Sequence, residues 1–554
     1  MDGQAFLYKN KGNGNNYLQI ALEGDKANKD GIGAEVWIKV GDQIQYQQMT
    51  NVRGFFSSVE PILHFGVGKA AQIDDVQIKW GKGKVQHLGK QAANQRIVIK
   101  KSDAVGGKIL YRKGIAPGKW SAQNTGINFT HKEDGYNDFD NSPLIPHAFS
   151  KLGPALTQGD MNGDGRSDIF IGGGAGQAAQ VYLQTANGQF KQQANAALDG
   201  DHAYEDNDAI LFDADGDSDL DVLVITGSSQ YDEGYSQNAD RLYLNDGNAT
   251  FTQSAFPKTY SSGACAHAVD FDADGDMDVI IGSRVKPSNY PMAPSNWVLQ
   301  NNGGQFTDVS QSLGKAIANA GMITDITSAD INGDGKAEVL LTGEFMSIET
   351  YAFNGQSLEK QSNGLDGINN AGWWNCLKVA DIDGDGDMDI LAGNLGNNTR
   401  LSAPLSIYAK DFDGNNQIDP VLTWMDNGKE YPLARRELLA KQMPMLNKKF
   451  KYFKPYSKAG INQIFTKAQM EGAMKLTANE FQSCWFENKG NSFTKHALPM
   501  EAQVAPIQGF AVVGKQIIAV GNDYGSDTET GRLDASNGVI MSFTNGDLSV
   551  EAQS

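Results

Sequence analysis

Six stretches of this 554-residue chain place side-chain oxygens at alternate positions in the pattern D-x-[DN]-x-[DN]-x-x-x-[DE], and an apolar run follows each. The first, at 160–168, offers Asp160, Asn162, Asp164 and Asp168; the second, at 213–221, Asp213, Asp215, Asp217 and Asp221. The third, at 270–278, offers Asp270, Asp272, Asp274 and Asp278; the fourth, at 330–338, Asp330, Asn332, Asp334 and Glu338. The fifth, at 381–389, offers Asp381, Asp383, Asp385 and Asp389; the sixth, at 411–419, Asp411, Asp413, Asn415 and Asp419. Like charges packed this closely repel one another unless a cation neutralises them. Oxygens at positions 1, 3, 5 and 9, a backbone carbonyl from position 7 and a sharp turn at position 6 make the ligand set of a compact Ca²⁺ loop. Position 7 is Arg166, Asp219, Asp276, Lys336, Asp387 or Gln417. With no nitrogen or sulfur donor in the set, hard Ca²⁺ suits it better than zinc or copper, and Mg²⁺ prefers to keep its waters. An EF-hand would need a Glu at position 12. Position 12 is instead Ile171, Val224, Ile281, Leu341, Ala392 or Leu422. The ion is therefore expected in a turn between strands, in a structural role, with up to six bound. Loops one, three and five fit best, because loop two has Ser218 at the usual Gly position, loop four ends in Glu338, and loop six carries Asn415 and Asn416.

The elements that must position these turns form a repeat. The first five loops start 53, 57, 60 and 51 residues apart, and the sixth comes only 30 residues later. A second motif recurs downstream: "VYLQTANGQF" from Val181, "LYLNDGNATF" from Leu242, "WVLQNNGGQF" from Trp297, "CWFENKGNSF" from Cys484 and "VIMSFTNGDL" from Val539. Each reads as a β-hairpin closed by an Asn/Gly turn. Loop, apolar strand and hairpin together give a four-stranded unit at blade spacing, the signature of a β-propeller. Counting five loop-bearing blades, a sixth around 480–500 and a metal-free seventh at about 503–551 predicts an all-β, seven-bladed β-propeller over 146–554. The sixth loop is expected at the tip of the fifth blade's outer hairpin. Between 432 and 481 the pattern turns helical, with "ARRELLAKQM" and "TKAQMEGAMKL" as amphipathic helices in a single insertion. Residues 429–475 carry eleven Lys/Arg against three Glu, which suits packing on an acidic flank or docking of an acidic partner. At the other end, 17–102 alternates apolar and polar residues as a small β-sandwich or barrel, and 103–145 reads as a linker leading into the propeller.

These loops resemble the FG-GAP, or VCBS, repeats of integrin α-chain propellers and their bacterial relatives. The first hundred residues resemble an ASPIC/UnbV domain, through "NKDGIGAEVWIKVG", "RGFFSSVEPILHFGVG" and "DDVQIKWGKGKVQHL". The combined layout is similar to large secreted or surface proteins of Bacteroidota, and the resemblance implies an extracellular or cell-surface location. Residues 1–16 are similar to the outer hairpin of a further blade, so the chain reads as a fragment of a longer protein.

Composition narrows the function. A net charge of −19 argues against nucleic acid as a partner. Loop acids account for 24 of the 66 Asp and Glu, and six calcium ions would bring the net charge to −7. Cys265, Cys376 and Cys484 form neither a disulfide framework nor a zinc motif and read as buried thiols. No 18-residue apolar run spans a membrane. No nucleophile elbow, HExxH or Walker loop appears. His131 and His147 flank an acidic segment, and a packed loop is the plainer reading of that pattern than an acid–base pair. Long segments after each second strand gather on the face opposite the metal loops, where function concentrates. Tyr231, Tyr235, Arg284, Tyr290, Trp373, Trp374, Arg400 and Arg532 are the ligand-face candidates there. The expected function is a non-enzymatic binding or adhesion propeller that recognises a glycan, peptide or protein. The alternatives are a polysaccharide-degrading propeller enzyme and a structural subunit of an outer-membrane complex.

Overall fold

The computed structural model of the chain describes residues 8, 9, 12, 14–54, 57–110, 124–362, 364, 365, 367, 368, 371–490, 492–544 and 546–553. It divides into two compact units, 1–117 and 118–554.

Period-two alternation builds the first unit. In the strand Asn16–Glu23, Leu18, Ile20 and Leu22 are buried and the residues between them are not. This strand lies between Gln95–Lys100 and Ile62–Gly68. A second sheet runs in the order Gln43–Gln48, Glu35–Val40, Asp75–Lys79, Val85–His87. Leu18, Ile20, Leu63 and Phe65 of the first sheet share one core with Val36, Ile38, Val76 and Ile78 of the second. Two sheets facing each other across such a core are a β-sandwich. Asn16 already belongs to this sandwich, and most of the stretch expected as a remnant blade hairpin lies outside the described residues.

In the second unit, each motif of the repeat occupies one place in a four-stranded meander. The first sheet runs Leu156–Gly159, Asp168–Ile171, Gln180–Gln184, Phe190–Gln193, each strand antiparallel to the next. The second, third and fourth begin with Asp206–Phe212, Ser262–Val269 and Met322–Ala329, and the last meander with Gly509–Val513. Second strands such as Asp221–Thr226 and Asp389–Asn394 are buried along their whole length. Neighbouring sheets explain this by packing face to face. Val222 and Val224 meet Phe170 and Val181 of the sheet before, and Leu223 and Ile225 meet Val279 and Ile281 of the sheet after. The third and fourth sheets share Val269, Ile280, Ile323 and Leu341 in the same way, and the fifth and last share Leu391, Trp485, Ile517 and Met541. A cavity of about 490 Å³ is lined by Gly153, Asn207, Asp208, Ala264, Cys265, Thr324, Asp325, Asn375, Cys376 and Gln508. These residues lie in or just before the first strands of six successive sheets. All three cysteines are buried free thiols.

The fifth sheet departs from expectation. Its first two strands, Gly372–Ala380 and Asp389–Asn394, continue into Cys484–Asn488 and Phe493–Ala497, with Ile390 opposite Phe486. The segment around 480–500 is therefore the outer pair of the fifth sheet and not a separate sixth blade. Between its second and third strands the chain inserts a further sheet, ordered Lys429–Pro432, Asp419–Asp426, Leu405–Lys410, Met474–Ala478. The sixth aspartate loop joins two strands of this inserted sheet instead of tipping the fifth blade's outer hairpin. The expected helices are shorter than the pattern suggests. Arg436–Gln442 is followed by single-turn segments, and "MKLTA" pairs as a strand with Leu405–Lys410. Leu439, Met443, Leu446, Ile461, Ile464 and Phe465 pack on Phe412 and Val421, which accounts for the apolar stripe.

Candidate metal centres and the loop face

All six aspartate loops have the same frame. Position 9 pairs across the ladder with the residue just before position 1: Gly159 with Asp168, Phe212 with Asp221, Val269 with Asp278, Ala329 with Glu338, Ala380 with Asp389 and Lys410 with Asp419. Eight residues then bulge from the closed end of a hairpin. Their shape is held by side-chain oxygens that accept backbone N–H groups. Position 6 donates to the position-1 carboxylate in every loop, at 2.7 Å from Gly165 to Asp160 and 2.8 Å from Asn416 to Asp411. Position 7 donates to position 5, as from Asp276 to Asp274 at 3.0 Å and from Gln417 to Asn415 at 2.8 Å. Positions 4 and 6 are left-handed throughout, which Gly adopts freely. Ser218 adopts this conformation at φ 74°, Ala273 at 61° and Asn416 at 66°. Loops two and six thus keep the backbone shape despite lacking the glycine. Ser218→Gly should raise stability by about 1 kcal/mol by relieving the left-handed penalty, read as a higher melting temperature.

Position 9 does more than offer a ligand. Asp278 is fully buried; one oxygen accepts the Phe271 N–H at 3.2 Å and the other the Asn301 N–H at 2.8 Å. Asp221 and Asp389 repeat this with Ala214 and Asn245, and with Ile382 and Asn488. Asp419 takes its second bond from the Gln442 side chain of the inserted helix at 2.9 Å. Burial pushes these carboxyls up, Asp278 to about 7 and Asp221, Asp389 and Asp419 to about 6, and neighbouring loop carboxylates add to the rise. The hairpin asparagines were not singled out by sequence reasoning. Asn245 Nδ2 donates to the Met161 carbonyl at 2.8 Å, Asn301 Nδ2 to Ala214 at 2.9 Å and Asn488 Nδ2 to Ile331 at 2.9 Å, so each ties its hairpin to the aspartate loop of the preceding sheet. The signal lay in "YLN", "LQN" and "FEN", where the same residue recurs at the end of the third strand.

Among the described residues, carboxylates converge in four loops, with one oxygen from each residue within 4.8 Å of the others. These are Asp213, Asp215 and Asp221; Asp270, Asp272 and Asp278; Asp381, Asp383 and Asp385; and Asp411, Asp413 and Asp419. Asp219 Oδ1 and Asp413 Oδ1 are also buried without a hydrogen-bond partner. The donors are all oxygen and part of their demand is unmet, so these loops could hold a metal ion. Loops one and four differ because Asn162 and Asn332 replace the third-position acid. Arg166 pairs with Asp164, and Asn332 Nδ2 donates to Glu338 Oε1 at 2.6 Å. Loops two and six, which lack the usual glycine, gather three carboxylates as loops three and five do, while in loops one and four an Asn oxygen takes the place of one acid.

The ligand-face candidates divide. Tyr231, Tyr235 and Tyr290 line a cavity of about 410 Å³ together with Tyr136, Asp138 and Phe149, and with Gln417 and Gln442 of the inserted sheet and its helix. It lies where the chain leaves the second strands of the second and third sheets, away from those sheets' aspartate loops. Tyr235 is 56% exposed. Trp373, Trp374 and Tyr290 are not the exposed aromatics expected, being 3%, 0% and 3% exposed. "GWWNC" is the inner strand of the fifth sheet and not a loop, and Trp373 packs against Phe345 with ring centres 5.4 Å apart. Arg284 turns inward to Glu344, Arg400 pairs with Glu529 at 3.5 Å, and Arg532 is exposed beside the Tyr524 ring.

No helix among the described residues is long and apolar enough to cross a membrane. Similar solved structures include an Agrocybe aegerita lectin described as recognising non-reducing terminal N-acetylglucosamine, at 17% identity over 59% of this chain and 71% of that one, with TM-score 0.30. The V. cholerae biofilm matrix protein Bap1 matches at 11% identity over 74% and 66%, with TM-score 0.24. Saccharomyces cerevisiae Sqt1 matches at 8% identity over 74% and 98%, with TM-score 0.32. Curated protein sequences give no match. Among families, residues 24–106 match ASPIC and UnbV, and residues 160–224, 213–281, 288–341 and 330–392 match the FG-GAP-like repeat, which stops short of the inserted sheet and its loop. The chain thus carries an ASPIC/UnbV domain near its N-terminus and four FG-GAP-like repeats within 160–392.

Proposed function

We propose that the protein is a non-enzymatic, extracellular binding module: a propeller whose blade loops are held by calcium and whose opposite face takes a glycan, peptide or protein. The observation that carries this reading is the cavity beside Tyr231 and Tyr235, where aromatic faces stand next to amide and carboxylate groups. That mixture suits a sugar, which offers an apolar ring face and many hydroxyls. For the scaffold, we read six blades around one channel, with the seventh sheet an insertion on the fifth blade. The channel lining favours this, as does the backbone pairing of His147 and Ala148, ahead of the first blade, with Ser526 and Gly525 of the last. Calcium is the ion proposed for the oxygen-only loops. At a free concentration a hundredfold above its Kd, one bound ion adds about 2.7 kcal/mol of stability.

A glycan array probed with the whole chain, followed by product analysis of every hit, tests the reading. Binding without turnover is expected, with Tyr235→Ala weakening it and leaving the melting temperature unchanged because the side chain is largely exposed. Released product would favour a polysaccharide-degrading enzyme. Hits unaffected by Tyr235→Ala would remove this cavity as the binding site.

A further inference from the structure

Away from the aspartate loops of the first two sheets, His131, Glu133 and Glu205 come together, with one ligand atom from each within 4.8 Å of the other two. The backbone around them is closely fitted. Gln177, in the turn after the strand Asp168–Ile171, accepts the Lys132 N–H at 2.8 Å and donates from Nε2 to the Thr130 carbonyl at 3.0 Å, clamping the segment that bears His131 and Glu133. Gly174 makes the close approach possible: a Cβ there would lie 2.5 Å from the Lys132 carbonyl oxygen and 3.3 Å from His131 Cε1. Glu205, just before the strand Asp206–Phe212, is 5% exposed. Its Oε2 accepts the Ala175 N–H at 2.8 Å, while its Oε1 is buried with no hydrogen-bond partner. His131 Nε2 lies 2.7 Å from Glu133 Oε1, and its Nδ1 is also buried without a partner. Buried ligand atoms left without a partner are costly unless a cation satisfies them.

We propose that His131, Glu133 and Glu205 form a site for a borderline divalent metal such as Zn²⁺, separate in position and chemistry from the aspartate loops. An imidazole nitrogen with two carboxylates is a zinc-type donor set, whereas calcium takes oxygens. The Glu133 contact at Nε2 holds the ring beside the two carboxylates, so the imidazole can offer one nitrogen to the ion. Three protein ligands leave a position open to water or to an oxygen of a bound molecule. The site does not depend on the tyrosine-lined cavity, so either can fail alone.

The test is titration of the whole, calcium-saturated chain with Zn²⁺ by calorimetry, with metal content measured after dialysis. One equivalent of zinc held against excess calcium is expected. His131→Ala and Glu205→Gln should each weaken it at least about tenfold. The visible absorption of the Co²⁺-substituted protein should change in His131→Ala. His131 is partly exposed, so His131→Ala should keep the wild-type calcium-dependent melting curve and decides the matter even if Glu205→Gln does not fold. No stoichiometric zinc, or zinc uptake undiminished in His131→Ala, overturns the site.

Discussion

Asp389→Ala should lower the melting temperature whether or not calcium is present, whereas Asp383→Asn should lower it only in calcium. The two residues belong to the same loop but carry different loads. Asp389 is fully buried and accepts the Ile382 and Asn488 N–H groups at 2.9 and 2.7 Å, so truncation orphans two donors that tie the loop to the outer hairpin. Each orphaned donor costs about 1–3 kcal/mol, so a loss of about 3 kcal/mol is expected even in EDTA. Asp383 accepts one N–H, from Asp385 at 3.1 Å, through an oxygen that Asn retains. Burial and the neighbouring Asp385 charge both raise its pKa, so removing its charge relieves repulsion when no ion is bound. In EDTA, Asp383→Asn should melt at or slightly above wild type, and in calcium it should lose the increment that the ion supplies. Thermal melts of the three proteins with calcium and with EDTA decide. A wild-type curve indifferent to EDTA would remove the proposed calcium, and an Asp389→Ala protein as stable as wild type in EDTA would reduce position 9 to a ligand alone.

Glu344→Ala should cost about 3–5 kcal/mol, the usual result of stripping one partner from a buried charge network. Glu344 is 1% exposed and accepts from Arg284 Nε at 2.7 Å, His147 Nε2 at 2.8 Å and the Tyr290 hydroxyl at 3.0 Å. Burial works to raise its pKa, but Arg284 and His147 outweigh it and hold the carboxyl down at about 2. The folded-state value lies below the unfolded one, so the stabilisation is complete above about 4.5 and is lost as pH falls through about 2. On that basis wild type should lose about 3 kcal/mol across this interval that Glu344→Gln does not lose. Denaturant unfolding at pH 7, 4 and 2.5 measures it, and parallel pH profiles for the two proteins would contradict the assignment. The same cluster joins the segment before the first sheet to the ends of the third and fourth, so its loss should also loosen the walls of the tyrosine-lined cavity.

How much was legible beforehand follows from the range of each signal. The turn of an aspartate loop is specified within nine residues, because the oxygens at positions 1, 3 and 5 bond to N–H groups two to five positions away and its strand partner is the next segment of chain. Local chemistry of that kind reads directly from sequence, and so do the hairpins and the alternating strands of the sandwich. What lay beyond the sequence were relations between distant segments. "CWFEN" pairs with a strand some ninety residues earlier, so the sixth loop belongs to an inserted sheet and the count of blades cannot be taken from spacing. "GWWNC" has the composition of a recognition loop and lies in the interior, because a strand packed on both faces buries Trp373 in one core and Trp374 in another. Glu205 shows nothing unusual in its own neighbourhood of the chain. Only folding brings it against His131, seventy-odd residues away, and leaves an oxygen with nothing to bond. Short-range hydrogen bonding and periodicity determined the repeating unit; long-range packing decided which units are neighbours, which aromatics are buried and where ligand atoms meet.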